Sequence, residues 1–259
     1  MASIKAKCRK VICIGRNYAY RPTPTPPLEA RSTPANKPPP SDHITELSSA
    51  RPSQPFFFLK PPSSILTPNT GPVIRPYGTT LHHEVELGLV IGSNGPYRNL
   101  SPSFPQNGLT AMISHYFTAI DLTARNVQDE AKRKGLPWTI AKGFDTFCPI
   151  SNPIPLAQVP NPHNVTLWLT VNGTDRQRDS SALMLFRIPR LLSDISKVMT
   201  LEEGDVVLTG TPKGVGPVVG GDVMRVGLEV EGKEVDEGRI EVRVEDAGMG
   251  VGGYEYKEI

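Results

Sequence analysis

The chain has 259 residues, 38% of them hydrophobic and 21% charged, with a formal net charge of +2. That is ample material for a core. So small a charge gives no ground for expecting a nucleic-acid partner, and no apolar run approaches the ~18 residues of a membrane span. Cys8, Cys13 and Cys148 are unevenly spaced, which argues against a disulfide framework and for a reducing compartment. Residues 1–10 are basic and lack acids, a faint sign of an organellar presequence, but they run straight into a strand-like VICIG.

In chain order, residues 10–15 read as a short buried strand ending at a glycine. Composition then changes abruptly. Residues 20–41 hold eight prolines in 22 positions, and proline's fixed φ and missing amide proton exclude both helix and inner strand. Residues 42–47 can form one or two helical turns capped by Ser41 or Asp42. The apolar run 54–60 is a strand that Pro61 and Pro62 stop. Residues 81–92 (LHHEVELGLVIG) alternate as one strand, with Val85, Leu87, Leu89 and Ile91 on one face and Glu84 and Glu86 on the other.

Further on, 110–120 reads as a helix leading into a strand, and 122–134 as a polar helix ended by Gly135. The strand 165–171 runs into Asn172-Gly173, a strong hairpin signal. Residues 183–199 have helical periodicity, 205–209 is a buried strand entering a Gly-rich turn, and two more strands lie near 222–230 and 238–244. Many short strands and few helices predict a mainly β, α+β fold.

Two carboxylates on one strand face repel each other unless a proton or cation lies between them. A hard ion such as Mg²⁺ suits that donor set, although an isolated E-x-E is equally the pattern of an ordinary solvent-facing strand. Asp121 could add a third oxygen ligand, or serve as a helix cap for Leu122 onward. Lys142 is a cation in an apolar run, either functional or a snorkelling surface lysine. Thr209-Gly210-Thr211-Pro212 has the form of a backbone anion nest. Adjacent His82 and His83 point to opposite strand faces, which disfavours a zinc pair and suits packing for His83. Cys148, before a proline in an apolar run, reads as a buried small residue.

The segments CIGRNYA, FFFLKP, LHHEVELG, AIDLTARNVQDEAKRKGLPWTIAKGFDTFCPIS, LWLTVNGTDRQ and MTLEEGDVVLTGTPKGVGPV together resemble the fumarylacetoacetate hydrolase family. In particular they resemble its short single-domain members, acylpyruvases that also act on oxaloacetate. The resemblance implies a folded β-roll of mixed sheets with a few peripheral helices. It also implies a mitochondrial (alternatively cytoplasmic) homodimeric enzyme for small 2-keto acids. It assigns Glu84, Glu86 and Asp121 to a Mg²⁺ or Mn²⁺ ion and Lys142 to catalysis. Arg125, Gln128 and Thr211 match substrate-contacting positions, with Arg16 and Lys60 as flanking basic ones. Acylpyruvate hydrolysis, oxaloacetate decarboxylation and keto–enol tautomerisation all pass through a pyruvate-type enolate, so the residues do not rank them.

One departure stands out. In the family, RNYA runs directly into a lid helix bearing a His and, three residues later, a Glu that activate water. Here Arg21 and Pro24 occupy those counts. Excising 20–41 joins Ala19 to Asp42 and brings His43 and Glu46 into the dyad positions, on one helical face. Residues 20–41 therefore read as an insertion into a single domain spanning 1–259, either retained intron sequence or a true Pro-rich loop. A rival reading is a metal- and keto-acid-binding protein whose interrupted lid has cost it turnover, and a third is a β scaffold without metal affinity.

Overall fold

The computed structural model describes residues 4–19, 52–103, 106–248 and 253–258. The Pro-rich segment and the predicted turns at 42–47, with His43 and Glu46, lie outside the described residues.

The principal strands are β1 (Val11–Gly15), β2 (Phe56–Lys60), β3 (Leu81–His83), β4 (Val85–Ile91), β5 (Ile113–Ile120), β6 (Thr123–Ala124), β7 (Ile154–Pro155), β8 (Val165–Val171), β9 (Thr174–Ser180), β10 (Val206–Leu208), β11 (Gly216–Val218), β12 (Val223–Val230) and β13 (Ile240–Asp246). The larger helices are α1 (Gln106–Met112), α2 (Arg125–Lys134) and α3 (Ile188–Val198). The first mixed sheet has the order β7-β5-β4-β10-β1-β2, with β1 and β10 parallel. The second runs β9-β8-β12-β13 and ends on Val73–Arg75. A small sheet, β11-β3-β6, bridges them at the site end. This is the mainly β roll of mixed sheets that the sequence predicts.

Periodicity explains how the layers close. Along β1, Ile12 and Ile14 join the larger apolar cluster with Leu87, Leu89, Leu167 and Val226, while Val11 and Cys13 join a second cluster with Val90, Phe117 and Cys148. The first sheet is thus covered on both faces, and β4 is buried at every position. The alternative of an ordinary solvent-facing acidic strand does not hold: the face carrying Glu86 also carries Gly88 and Val90 and packs inward. The three cysteines are unpaired and buried. Burial pushes the Cys8 thiol up to about 11 and that of Cys148 to about 12, so neither offers a thiolate nucleophile at neutral pH.

The predicted single strand 81–92 is two strands. The chain changes sheets at Glu84: β3 pairs with β11 and β6, and β4 with β5 and β10. Helix α2 starts at Arg125, three residues later than predicted, because Thr123 and Ala124 are drawn into the small sheet. Its predicted end holds, with Gly135 in the left-handed region at φ +66°. Helix α3 begins at Ile188, with Pro189 in its first turn. Asn172 and Gly173 both have positive φ, 50° and 79°, and close the β8–β9 hairpin as expected.

Gly88 sits opposite Phe117 on β5, and the ring lies directly over it. A Cβ added at Gly88 would stand 2.1 Å from the ring's Cζ. Gly88→Ala should therefore cost about 1–3 kcal/mol by overpacking, read as a lower denaturant midpoint at unchanged slope.

Candidate active site

The break at Glu84 is what assembles the acidic cluster. Glu84 leaves the end of β3, Glu86 lies two residues on in β4, and Asp121 follows β5, whose Ala119 pairs with Glu86. The backbone amide of Asp121 donates to the Glu84 carbonyl at 2.8 Å, locking the two segments together. Asp121 does not cap α2, whose N-cap is Ala124. Carboxylate oxygens of Glu84, Glu86 and Asp121 all lie within 4.8 Å of one another. Glu86 and Asp121 are each 1% exposed.

Cations surround this cluster. Lys142 is buried, not snorkelling, and its Nζ donates to Asp121 Oδ2 at 2.8 Å and Glu84 Oε2 at 3.1 Å. Lys60 Nζ lies 2.9 Å from Asp121 Oδ1 and donates to the Leu122 and Lys142 carbonyls. It is fully buried and braces Asp121 and the Lys142 backbone. Arg125, the first residue of α2, is a three-way fork. It donates to Glu84 Oε1 at 2.6 Å, to Gln128 Oε1 at 2.6 Å and to His82 Nδ1 at 3.3 Å. Thr123 Oγ1 adds a bond to Glu84 Oε1 at 3.0 Å.

The two glutamates consequently differ. Burial alone would raise the Glu84 pKa, but Lys142 and then Arg125 outweigh it and hold the carboxyl at about 2. Glu86 has no direct ion pair among the described residues, and Lys142 acts on it only as a lesser charge. Burial, then the charges of Asp121 and Glu84, push it well above the usual carboxylate range, against a counteracting bond from the Gly210 amide to Oε2 at 2.6 Å. That amide belongs to the Gly-rich turn read as an anion nest, and the oxygen it bonds is Glu86 Oε2. The turn comes so close because residue 210 is glycine: its φ is +98°, and a Cβ there would meet the Asn17 Cβ at 2.8 Å.

Several observations test whether a divalent cation fits here. The donors are all hard oxygens, they converge, and Glu86 is held in a repulsive environment that a cation would relieve. Asp121 Oδ1, completely buried, has the Lys60 ammonium at 2.9 Å but no hydrogen bond of good geometry among the described residues. The set fits a hard divalent ion. His82 and His83 do not join it. His82 meets Arg125, and His83, fully buried, meets Gln177 Oε1 through Nδ1 at 3.0 Å.

Above the cluster opens a cavity of about 810 Å³ bordered by Arg16, Arg125, Gln128, Lys142 and Thr211. Its described walls carry seven Lys and Arg against four Asp and Glu, an electropositive mouth suited to anions. Arg16 follows Gly15 at the end of β1 with φ +54°, an uncommon conformation for a residue with a Cβ. Of the candidate site residues within the described structure, all but Lys60 border the cavity. His43 and Glu46 lie outside the described residues.

Sequence reasoning passed over Gln177, although it stands in one of the segments carrying the family resemblance. It is 1% exposed on the otherwise outward-facing β9 and touches both the Glu84 junction and the Thr211 turn. A neutral amide flanked by charged residues (DRQRD) carries no chemical signature of its own.

A β-roll that gathers three carboxylates and a buried lysine beneath a basic cavity presents a donor set that fits a hard divalent cation. Residues 10–245 match the model described as fumarylacetoacetate (FAA) hydrolase C-terminal, and the chain belongs to that family. It is 44% identical over 241 residues to the mitochondrial oxaloacetate tautomerase oaa1 of Schizosaccharomyces pombe, covering 93% of this chain and 98% of the relative. To the mitochondrial oxaloacetate decarboxylase of Dictyostelium discoideum it is 43% identical, covering 85% and 88%. Among solved structures it is similar to the yeast family protein ynq8, at 36% identity and TM-score 0.80 over all of both chains. It is also similar to the fumarylpyruvate hydrolase of Pseudomonas aeruginosa in complex with Mn²⁺ and pyruvate, at 30% identity and TM-score 0.72, covering 93% and 91%.

Proposed function

We propose that this chain is a Mg²⁺-dependent mitochondrial enzyme that interconverts the enol and keto forms of oxaloacetate, within a wider capacity for 2-keto acids. The observation carrying this reading is the convergence of Glu84, Glu86 and Asp121, with Lys142 among them, at the base of a basic cavity. The names of its relatives support the substrate and the compartment. Mn²⁺ would serve in place of Mg²⁺, and the working form is a homodimer.

Glu84, Glu86 and Asp121 would hold the divalent cation, which would supply Lewis-acid stabilisation of developing negative charge. The chain's own groups do the rest. Arg125 and Gln128, already bonded to each other, face the carboxylate and keto oxygens of the substrate, and Thr211 takes the carboxylate end. The Lys142 ammonium, fixed by two carboxylates, places positive charge beside the developing oxyanion without having to reorganise. Arg16 draws dianions into the mouth, and Lys60 keeps Asp121 in place.

We assign His43 and Glu46 to a lid in which Glu46 orients the imidazole, and His43 moves the proton to or from the carbon beside the carbonyl. The same pair would activate water for acylpyruvate hydrolysis. Residues 20–41 are then an insertion in a single 1–259 domain.

The test is an assay of the purified chain on oxaloacetate, following enol absorbance and CO₂ release, and on acetylpyruvate, each with Mg²⁺ and with EDTA. The expected result is Mg²⁺-dependent acceleration of the enol–keto step that EDTA removes. Rates with oxaloacetate that are the same with and without the protein would overturn the reading.

A further inference from the structure

The amide of Gln177 can be oriented from its partners alone. Its Oε1 lies 3.0 Å from the backbone nitrogen of Val85, which can only donate, and its Nε2 lies 2.8 Å from the carbonyl of Pro212, which can only accept. Only one orientation of the amide satisfies both. It follows that Nε2 also donates to Thr211 Oγ1, at 2.8 Å. The hydroxyl of Thr211 is an acceptor in that bond, so its own proton must point elsewhere. Among the described residues nothing accepts that proton, and Thr211 borders the cavity.

We propose that Gln177 is a positioning residue that turns the Thr211 hydroxyl into a fixed hydrogen-bond donor for the carboxylate of a 2-keto acid. This rests on the reading of the cavity as a 2-keto-acid site. The arrangement goes further than one hydroxyl. Gln177 Oε1 also receives His83 Nδ1, at 3.0 Å, which sets the protonated nitrogen of that ring. The bond to Val85 lies at the sheet change between Glu84 and Glu86. One side chain on the second sheet thereby holds the acidic floor and the carboxylate seat at a constant separation. A substrate whose carboxylate and keto oxygen must meet both at once is selected by that spacing.

The test measures pyruvate binding by calorimetry in saturating Mg²⁺ for the wild-type chain and for T211S, T211V, Q177E, Q177M and T211V/Q177E. Neither Glu nor Met can donate to Thr211. A glutamate would instead accept the Thr211 proton and withdraw it from the cavity. Loss of a hydrogen bond to a charged group corresponds to about tenfold or more in affinity. T211V and Q177E should each weaken pyruvate about tenfold, T211S by no more than about twofold, and the double variant scarcely beyond T211V. Effects of T211V and Q177E that multiply in the double variant would overturn the inference while leaving the keto-acid site standing. Pyruvate bound by T211V as tightly as by the wild type would also overturn it, with no need of a folded Gln177 variant. A wild-type chain that binds no pyruvate in Mg²⁺ would overturn the site reading as well.

Discussion

Glu86→Gln should reduce Mg²⁺-dependent turnover of oxaloacetate by at least about a thousandfold, because Lewis-acid stabilisation is worth several kcal/mol and each 1.36 kcal/mol is about tenfold in rate. The substitution keeps shape and burial. The glutamine carbonyl can still accept the Gly210 amide that now bonds Glu86 Oε2 at 2.6 Å, and the new NH₂ faces Asp121 and Glu84 as a donor. In the metal-free protein it also removes a carboxyl that burial, Asp121 and Glu84 disfavour. The variant should therefore melt no lower than the wild type in EDTA. The wild type should gain stability on adding Mg²⁺, by about 2.7 kcal/mol at a hundred times the dissociation constant, and the variant should gain almost none. Thermal unfolding with and without Mg²⁺ reads both effects. A variant that retains turnover and Mg²⁺ stabilisation would remove Glu86 from the ligand set.

The second large effect is on stability. Lys142→Met should cost about 3–5 kcal/mol, the range for taking one partner from a buried ion pair, because Asp121 and Glu84 would keep their burial and lose their shared ammonium. The pH dependence follows from the signs. Glu84 is held at about 2, below its ordinary 4.5, so its share of the stability is complete above pH 4.5 and is lost as pH falls toward 2. Lys142 is shifted the other way. Burial opposes its charge, yet Asp121 and Glu84 outweigh that and raise its pKa above 10.5, so its share is complete below pH 10.5 and lost as pH rises further. The gap between wild type and variant should be widest from pH 4.5 to 10.5 and should close below that window as Glu84 protonates. Urea unfolding at pH 7 and at pH 3 measures it. A gap unchanged at pH 3 would show that the loss is one of packing.

Much of the site was legible in the chain because its chemistry is spelled in charged residues at short spacing. Glu84 and Glu86 announce themselves as a pair, and Asp121 and Lys142 stand in otherwise apolar runs. What could not be read was which way they face. The alternation around Val85 and Leu87 was right in period, but the opposite face is covered by Phe117, Ala119 and the second apolar cluster. Burial on both faces depends on strands distant in sequence and leaves no trace in the local pattern. The sheet change at Glu84 was equally hidden, since β3 and β4 share one alternation and differ only in their partners. Lys142 reads as a surface lysine until the Asp121 turn is folded beneath it. Gln177 shows the converse limit. It matters because of four partners drawn from β3, β4 and the 211–212 turn, none of them near it in the chain.

Boundaries moved for the same reason. Helix α2 loses its first predicted turn to the small sheet, and α3 starts at Ile188, one residue before the proline that pre-sets its first turn. The hairpin at Asn172-Gly173 and the stop at Gly135 were legible because each depends on a backbone conformation written in a single residue.

Glu84, Glu86 and Asp121 should together hold one divalent cation at the base of the basic cavity. The anomalous difference map of a crystal grown with Mn²⁺ tests this most directly. The expected map has one peak with carboxylate oxygens of all three residues at direct-ligation distance. A peak ligated by His82 or His83, or no peak between the three carboxylates at saturating Mn²⁺, would contradict it.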